Sequence, residues 1–182
     1  MLSLVVMKTH RLEPLLNPDS IAIVGASNNA ARIGGMPIAH LTKFGYAGQI
    51  YPINPKYEDV FGLRCFPDIE SLPQAPDLVV LAIAAADVLP MLQRCAAKGV
   101  RAVIVYAAGF AEEGAKGAAL QAELEAYVAT TDMVVAGPNL MGFANLNRQV
   151  HTNFASVFNT APMQAGQGSV SLLTQSGNVC AA

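Results

Sequence analysis

The sequence predicts an α/β fold built on a doubly wound, mostly parallel sheet. Three observations predict it: short apolar segments recur along the 182 residues, segments of helical length separate them, and glycine, asparagine or proline follows most of them. Continuous apolar strands are typical of parallel sheets that are buried on both faces, and strands that alternate with helices are typical of doubly wound sheets. We therefore expect a Rossmann-like strand order with right-handed crossovers, although the order itself cannot be read from a sequence.

The predicted strands are the apolar segments 20–24, 49–53, 78–83, 102–106 and 133–136. The predicted helices are 33–44, 68–72, 88–98 and 114–130. The first of these helices has apolar side chains at helical spacing and stops at Gly45, and Pro37 lies near its start, where proline is best tolerated. Residues 1–19 are predicted to be a lead-in with a short helix.

The C-terminal part of the chain is predicted to leave this pattern. Residues 137–168 are mostly irregular, 169–174 form a last strand, and Ser176 and Gly177 open a new helix. Such a unit cannot bury its own apolar face. We therefore expect a domain over 20–167 and, over 168–182, the start of a second α/β domain, so that the chain is a fragment of a longer protein or a truncated form of one.

Composition excludes several classes of function. The chain has 11 basic and 13 acidic residues and a formal net charge of −2, which makes a poor surface for nucleic acid. No apolar stretch reaches the roughly 20 residues that a membrane span needs. The three cysteines are widely spaced, which suits neither a zinc site nor a disulfide framework and favours a reducing compartment. We expect a cytoplasmic protein, and a homo-oligomer stays open.

The turn after the first strand is the first candidate site. Gly25 allows a tight turn, while Ala26 and Ser27 are small enough for a ligand to approach the backbone. The free N–H groups of the turn and of the following helix, together with the helix dipole, would attract an anion such as a phosphate. The motif is not G-x-G-x-x-G, because the next glycine is Gly34, and a βα turn without a ligand is the alternative.

The end of the second strand adds a cation. NAD-binding folds usually have Asp or Glu there to accept a hydrogen bond from the ribose 2′-hydroxyl, whereas this sequence has Asn54, Pro55 and Lys56. An ammonium at this position suits a phosphorylated ribose, as in NADP or coenzyme A (CoA). Alternatively, Lys56 is an ordinary solvated lysine or pairs with Glu58 or Asp59.

Three further loops follow strands at the edge where open α/β sheets bind ligands. The loops after the third and fourth strands consist of small residues, against which a flat ligand could lie, although tight helix–sheet packing would explain them equally well. The loop after the fifth strand contains Pro138 and Asn139, which could form a purely structural turn. Neither a nucleophile elbow nor a cluster of metal ligands occurs, so we predict no catalytic residue and no metal site.

Taken in order, six segments resemble one known family: IAIVGAS, YPINPK, VVLAIAA, YAAGFAE, AGPNLMG and SLLTQSG. They are similar to the CoA-binding domain of acyl-CoA synthetases that form a nucleoside diphosphate, such as ADP-forming acetate–CoA ligase and the α subunit of succinyl-CoA ligase. The resemblance covers roughly residues 12–182, and it implies that CoA is the ligand. It assigns the ligand contacts to Gly25, Ala26, Ser27, Asn28, Lys56, Ile83, Ala84, Tyr106, Ala107, Ala108, Pro138 and Asn139.

The resemblance also implies what lies outside this chain. Ser176 and Gly177 match the start of a helix in the family's second domain, which is flavodoxin-like. The N-terminus of that helix holds the phosphate that visits the active site. The phosphohistidine belongs to that second domain, and an ATP-grasp domain or subunit completes the enzyme. The chain should therefore bind CoA without completing catalysis. Two alternatives stay open at this point: a CoA-binding module of a protein lysine acetyltransferase or of a CoA sensor, and an NADP-binding oxidoreductase domain.

Overall fold

The computed structural model describes residues 10–160 and 171–174. Its strands, in chain order, are β1 (Ser20–Val24), β2 (Gln49–Ile53), β3 (Asp59–Val60), β4 (Leu63–Arg64), β5 (Leu78–Leu81), β6 (Ala102–Val105), β7 (Val134–Ala136), β8 (Ala144–Asn145) and β9 (Val150–His151). Its α-helices are α1 (Glu13–Leu16), α2 (Met36–Lys43), α3 (Ala85–Lys98) and α4 (Ala115–Val128), and short 3-10 turns occupy Ala111–Glu113 and Ser156–Asn159.

Five strands form one parallel sheet in the order β2-β1-β5-β6-β7. Outside β2, Phe66 forms a single parallel bridge with Ile53, where a further edge strand would lie. Counting that bridge as a rudimentary strand gives the order expected for a Rossmann-like sheet. The predicted fold class is therefore confirmed, as are the five strands predicted between residues 20 and 136.

Both faces of the sheet are covered because alternate side chains of each strand point to opposite faces. On one face, Val79 and Leu81 of β5 pack with Leu92 of α3 and Leu124 of α4. On the other face, residues such as Val80 pack with α2 and with the segment that contains β8 and β9. The strands of the sheet centre are consequently apolar throughout, as the sequence predicts.

Two predicted helices differ from the structure. Residues 68–72 form turns, in which the Asp68 carboxylate accepts a hydrogen bond from the Ser71 N–H at 2.8 Å, because prolines at 67 and 73 leave too few residues for a helix. The first predicted helix begins at Met36 instead of residue 33. A Cβ on Gly34 would lie 2.0 Å from the Gly25 carbonyl oxygen, so the chain here folds against the preceding turn before the helix starts.

The region after β7 is more ordered than predicted, since it contains the hairpin β8–β9. The hairpin β3–β4 was not predicted either. The helix expected in the lead-in is α1, and the Asn145 side chain donates to the Leu16 carbonyl at 3.0 Å, which attaches the lead-in to the domain. Of the strand predicted at 169–174, residues 171–174 have no regular secondary structure and the others lie outside the described residues.

Candidate functional site

The loops that follow the five parallel strands meet at one edge of the sheet and are joined by hydrogen bonds. The Gly25 N–H donates to the Ile53 carbonyl at 3.0 Å, and the Tyr106 N–H donates to the Leu81 carbonyl at 3.2 Å. The Asn139 N–H donates to the Ala107 carbonyl at 2.9 Å, which adds the last loop. The structure thus brings the predicted site residues of residues 20–160 to a single continuous edge.

Gly25 is required at the centre of this edge. Its φ is +84°, in the left-handed region, and a Cβ there would lie 2.3 Å from the Ala82 carbonyl oxygen and 3.3 Å from the Ile83 side chain. Any larger residue would be strained and would clash with the backbone of the neighbouring loop. The glycine therefore allows the first and third loops to approach each other closely, as the prediction requires.

The N–H groups of the glycine turn are used differently from the prediction. Those of Gly25 and Ala26 both donate to the Ile53 carbonyl, and that of Ser27 donates to the Gly34 carbonyl at 3.3 Å, so none of the three is free. The Ser27 hydroxyl oxygen accepts from the Asn29 N–H at 3.2 Å, and its O–H can still donate to a ligand. Hydrogen bonds to β2 and to the segment before α2 therefore use the backbone N–H groups of this turn.

The free donors lie further along the same loop. Asn28, Ala30 and Ile33 are exposed, and their backbone N–H groups have no hydrogen-bond partner within residues 10–160 and 171–174. They precede the N-terminus of α2, where the helix dipole adds a partial positive charge. Of the predicted anion site, which comprises the turn and the first residues of the helix, these N–H groups are the ones that remain available to a ligand.

Lys56 is exposed beside this loop. The part of the chain that the structure describes contains no ion pair of Lys56 with either Glu58 or Asp59, although such a pair was an open alternative. The Lys56 N–H donates to the Asn54 side-chain oxygen at 3.0 Å, and the Asn54 amide donates to the Ala26 carbonyl at 2.8 Å. A cation that is available to a ligand is therefore connected to the glycine turn through a single side chain.

Asn28 has a structural role that the sequence did not indicate. Its amide donates to the Asp59 carbonyl at 2.9 Å, and its side-chain oxygen accepts from the Phe61 N–H at 2.8 Å. These bonds hold the tip of the β3–β4 hairpin against the loop. The hairpin turn has positive φ at Phe61 and Gly62, as in a type I′ turn, and Gly62 between apolar residues was the available sequence signal.

The loops after β5 and β6 present small residues, as predicted. Ala84 and Ala108 are exposed and Ile83 is half-buried, whereas Ala107 is buried. Hydrogen bonds from its own backbone N–H and from the Gly109 N–H lower the pKa of Glu112, and the second of these bonds is 2.7 Å long. The ionised carboxylate thereby holds the end of the β6 loop in place.

The side chain of Tyr106 faces away from the edge. It is buried on the α2 side of the sheet, its hydroxyl donates to the Thr152 carbonyl, and its ring contacts the Phe154 ring at 4.8 Å between centroids. Burial raises the pKa of Tyr106 well above its usual range. Only the backbone of Tyr106 therefore lies at this edge of the sheet.

The turn after β7 completes the edge. Pro138 follows a cis peptide bond and is half-buried, and Asn139 is exposed with φ of +55°. Ser176 and Gly177, predicted as a phosphate site, lie outside the described residues. Among the residues that are described, no group of three or more His, Cys, Asp and Glu side chains could hold a metal ion, and no helix is long and apolar enough to cross a membrane.

This arrangement defines a class of protein, a Rossmann-like domain with a binding edge at the C-terminal ends of its strands. Over the described residues, that edge combines free backbone N–H groups with a lysine that forms no ion pair. Both features suit a phosphorylated nucleotide. Comparison with known proteins identifies the family. Residues 19–145 match the family described as CoA binding domain, and the chain belongs to this family.

Relatives of known activity are acid–CoA ligases. The chain is 34% identical over 171 residues to trans-feruloyl-CoA synthase FCS1 from an unknown prokaryotic organism, covering 94% of this chain and 24% of the synthase. It is 30% identical over 166 residues to the α subunit of the ADP-forming acetate–CoA ligase II of Pyrococcus furiosus, covering 91% of this chain and 35% of that subunit. The chain thus spans only about a quarter to a third of the length of these two relatives.

A solved structure agrees with the sequence relatives. The dinucleotide-forming acetyl-coenzyme A synthetase 1 of Ca. Korarchaeum cryptofilum, determined with phosphate and ADP, superposes with a TM-score of 0.74 at 33% identity, covering 79% of this chain and 31% of that one. The predicted resemblance and the Rossmann-like fold are confirmed, and this chain corresponds to the CoA-binding portion of such enzymes.

Proposed function

We propose that this chain binds CoA along the carboxyl edge of its sheet. The loop before α2 holds the diphosphate through the N–H groups of Asn28, Ala30 and Ile33, and Lys56 holds the 3′-phosphate of the ribose. The pantetheine arm then follows Ile83, Ala84 and the backbone of 106–108 toward Pro138 and Asn139. The observation that carries the proposal is the exposed Lys56, whose turn is hydrogen-bonded to the glycine turn.

The complete protein is proposed to be an ADP-forming acid–CoA ligase. ATP would phosphorylate a histidine outside this chain, the phosphate would pass to the acid, and the CoA thiol would displace it to give the acyl-CoA, ADP and phosphate. This chain supplies the CoA site, while a second domain that begins near residue 168 and an ATP-grasp domain or subunit supply the rest. The proposal rests on the ligase activity of the relatives and on the one-third of the α subunit that the chain covers. The cytoplasm is the compartment that we propose for it.

Calorimetric titration of the chain with CoA, 3′-dephospho-CoA and NADPH tests the site. A charge-assisted hydrogen bond contributes roughly 1.5–3 kcal/mol, so we expect CoA to bind at least about tenfold more tightly than dephospho-CoA. Lys56→Met should remove that difference and leave the affinity for dephospho-CoA nearly unchanged. Lys116→Met, which removes an exposed lysine on α4, is the matched control and should behave as the unmodified chain.

Each other outcome has a definite meaning. Equal affinity of the unmodified chain for CoA and dephospho-CoA would show that Lys56 does not contact the 3′-phosphate. Tighter binding of NADPH than of CoA would indicate an oxidoreductase-type dinucleotide site, and failure to bind CoA at all would overturn the proposed function.

A further inference from the structure

The side chain of Asn54 connects the two parts of the site that we assign to phosphate groups. Its amide nitrogen donates to the Ala26 carbonyl at 2.8 Å, and its amide oxygen accepts from the Lys56 N–H at 3.0 Å. We propose that Asn54 is a positioning residue for selectivity: by holding the Lys56 turn at a set distance from the glycine turn, it makes the site prefer the 3′-phosphorylated ligand. This inference rests on the proposed function.

Every polar group of Asn54 is engaged, so the residue has one defined position. Its backbone N–H donates to the Phe66 carbonyl at 2.9 Å, and its carbonyl accepts from the Tyr57 N–H at 3.3 Å and from the Cys65 thiol at 3.5 Å. The side chain is half-buried, which reduces competition from water. A side chain that is fixed at both ends can transmit the position of β1 to the turn that follows β2.

The distance between the two turns matters because one ligand spans them. The diphosphate and the 3′-phosphate belong to the same ribose-containing group, so their separation is limited by covalent bonds. A lysine side chain is long and flexible, and ordering it costs conformational entropy. A turn with a defined position reduces the number of conformations from which the ammonium must reach the 3′-phosphate, and this gain does not apply to a ligand that lacks that phosphate.

Two variants test the role of Asn54 without touching Lys56. Asn54→Ala removes both side-chain bonds. Asn54→Ser keeps an acceptor that can bond the Lys56 N–H, as serine does in turns, but is too short to reach the Ala26 carbonyl. For both we expect the ratio of CoA to dephospho-CoA affinity to fall from at least about tenfold to about threefold or less, because one hydrogen bond changes an equilibrium by roughly threefold to tenfold.

The chain offers a matched control at a distance from the site. The Asn145 amide donates to the Leu16 carbonyl at 3.0 Å, and its oxygen accepts from the Asn147 N–H, two residues on, at 3.2 Å. Asn145→Ala removes the same kind of bridge between two segments of the chain. We expect this variant to lower the thermal midpoint of unfolding while the affinity ratio stays at its original value.

The double variant Lys56→Met, Asn54→Ser shows whether the effect passes through the lysine. If it does, its affinity ratio equals that of Lys56→Met alone, because interacting residues are not additive. Circular dichroism establishes that each variant is folded, and the serine variant provides the result if the alanine variant is not. An unchanged ratio in folded Asn54→Ser would overturn the inference and leave the proposed function standing. Absence of discrimination in the unmodified chain would overturn both the inference and the assignment of Lys56 to the 3′-phosphate.

Discussion

The two faces of the sheet are closed in different ways. The α3–α4 face comprises α3, α4 and the strand residues packed against them, and its core is apolar apart from the Tyr51 hydroxyl and the Cys95 thiol. One further polar side chain, Ser20, is buried on this face where β1 begins. The α2 face comprises α2, β8, β9 and residues 152–160, and it buries four polar side chains: His40, His151, Thr152 and Asn153.

The polar groups of the α2 face are only partly paired. His40 contacts the Asn153 carbonyl at 3.1 Å and the Asn159 side chain at 2.9 Å. Within residues 10–160 and 171–174, both ring nitrogens of His151 and the amide nitrogen of Asn153 are buried without a hydrogen-bond partner. Aromatic contacts surround His151 instead, with the Phe44 ring at 4.2 Å and the Phe158 ring at 5.7 Å between centroids.

The two faces differ in how they are covered, and this difference assigns them different roles in the fold. The α3–α4 face follows from helices whose apolar side chains are spaced for burial, and it supports the strands that carry the site loops. The α2 face is closed by a segment of little regular structure through contacts between residues more than a hundred positions apart. We therefore expect the first face to dominate stability and the second to respond to pH.

The largest effect is expected on the α3–α4 face. Leu92→Ala removes a fully buried side chain of α3 and should lower the free energy of unfolding by about 2–5 kcal/mol. Leu89→Ala, on the same helix but only half-buried, is the matched control and should cost clearly less. Urea unfolding monitored by circular dichroism measures both, and equal losses would contradict the comparison.

An intermediate effect of opposite sign is expected on the α2 face. A buried unpaired polar group costs roughly 1–3 kcal/mol, so His151→Leu should raise the free energy of unfolding by about 1 kcal/mol at pH 7. Burial, and secondarily the charge of His40, lower the pKa of His151 from 6.5 to about 4. The unfolded chain therefore binds a proton that the folded chain does not, and stability falls as the pH drops from 6.5 to 4.

Unfolding at several pH values measures this second effect. In the unmodified chain the histidine lowers the free energy of unfolding by up to about 1.4 kcal/mol for each pH unit within that window. His151→Leu should remove this contribution, whereas His10→Leu, at an exposed position, should leave it. The same slope in all three proteins would show that His151 does not cause the pH dependence.

The smallest effect concerns the surface of the α3–α4 face. Arg94 of α3 pairs with Glu70, and the two side chains are 43% and 55% exposed. Exposed ion pairs contribute little because water and salt screen them, so Arg94→Met should change the free energy of unfolding by less than about 1 kcal/mol. A loss as large as that of Leu92→Ala would show that the ion pair, and not the apolar packing, stabilises this face.

The sequence predicted the sheet and the edge on which the site lies, because each central strand is a continuous apolar segment that ends in small or turn-forming residues. The sequence-based prediction was wrong or incomplete where a segment is too short to have a clear pattern of apolar and polar residues. Strands of two residues, such as β3 and β8, are too short to show any periodicity. The segment 68–72 has the length of a helical turn, but the flanking prolines and the Asp68 side chain make it a loop.

In the candidate site, too, some residues were predicted from the sequence and others were not. Gly25 and Lys56 were predicted because a glycine after β1 and a cation after β2 have direct chemical meaning. Asn54 was read only as part of a turn, and its bridge to Ala26 spans 28 residues of sequence. No local pattern indicates which carbonyl a side chain will meet at that distance.

The sequence by itself determined the α/β class, the apolar strands and the presence of a glycine turn and a lysine at the strand ends, since these depend on side-chain type and on neighbours in the chain. Only the tertiary structure decided which N–H groups remain free for an anion, that Tyr106 faces the α2 side, and that Asn54 joins the two turns. Those features depend on which distant backbone groups come within hydrogen-bonding distance, and packing of the whole sheet sets that distance.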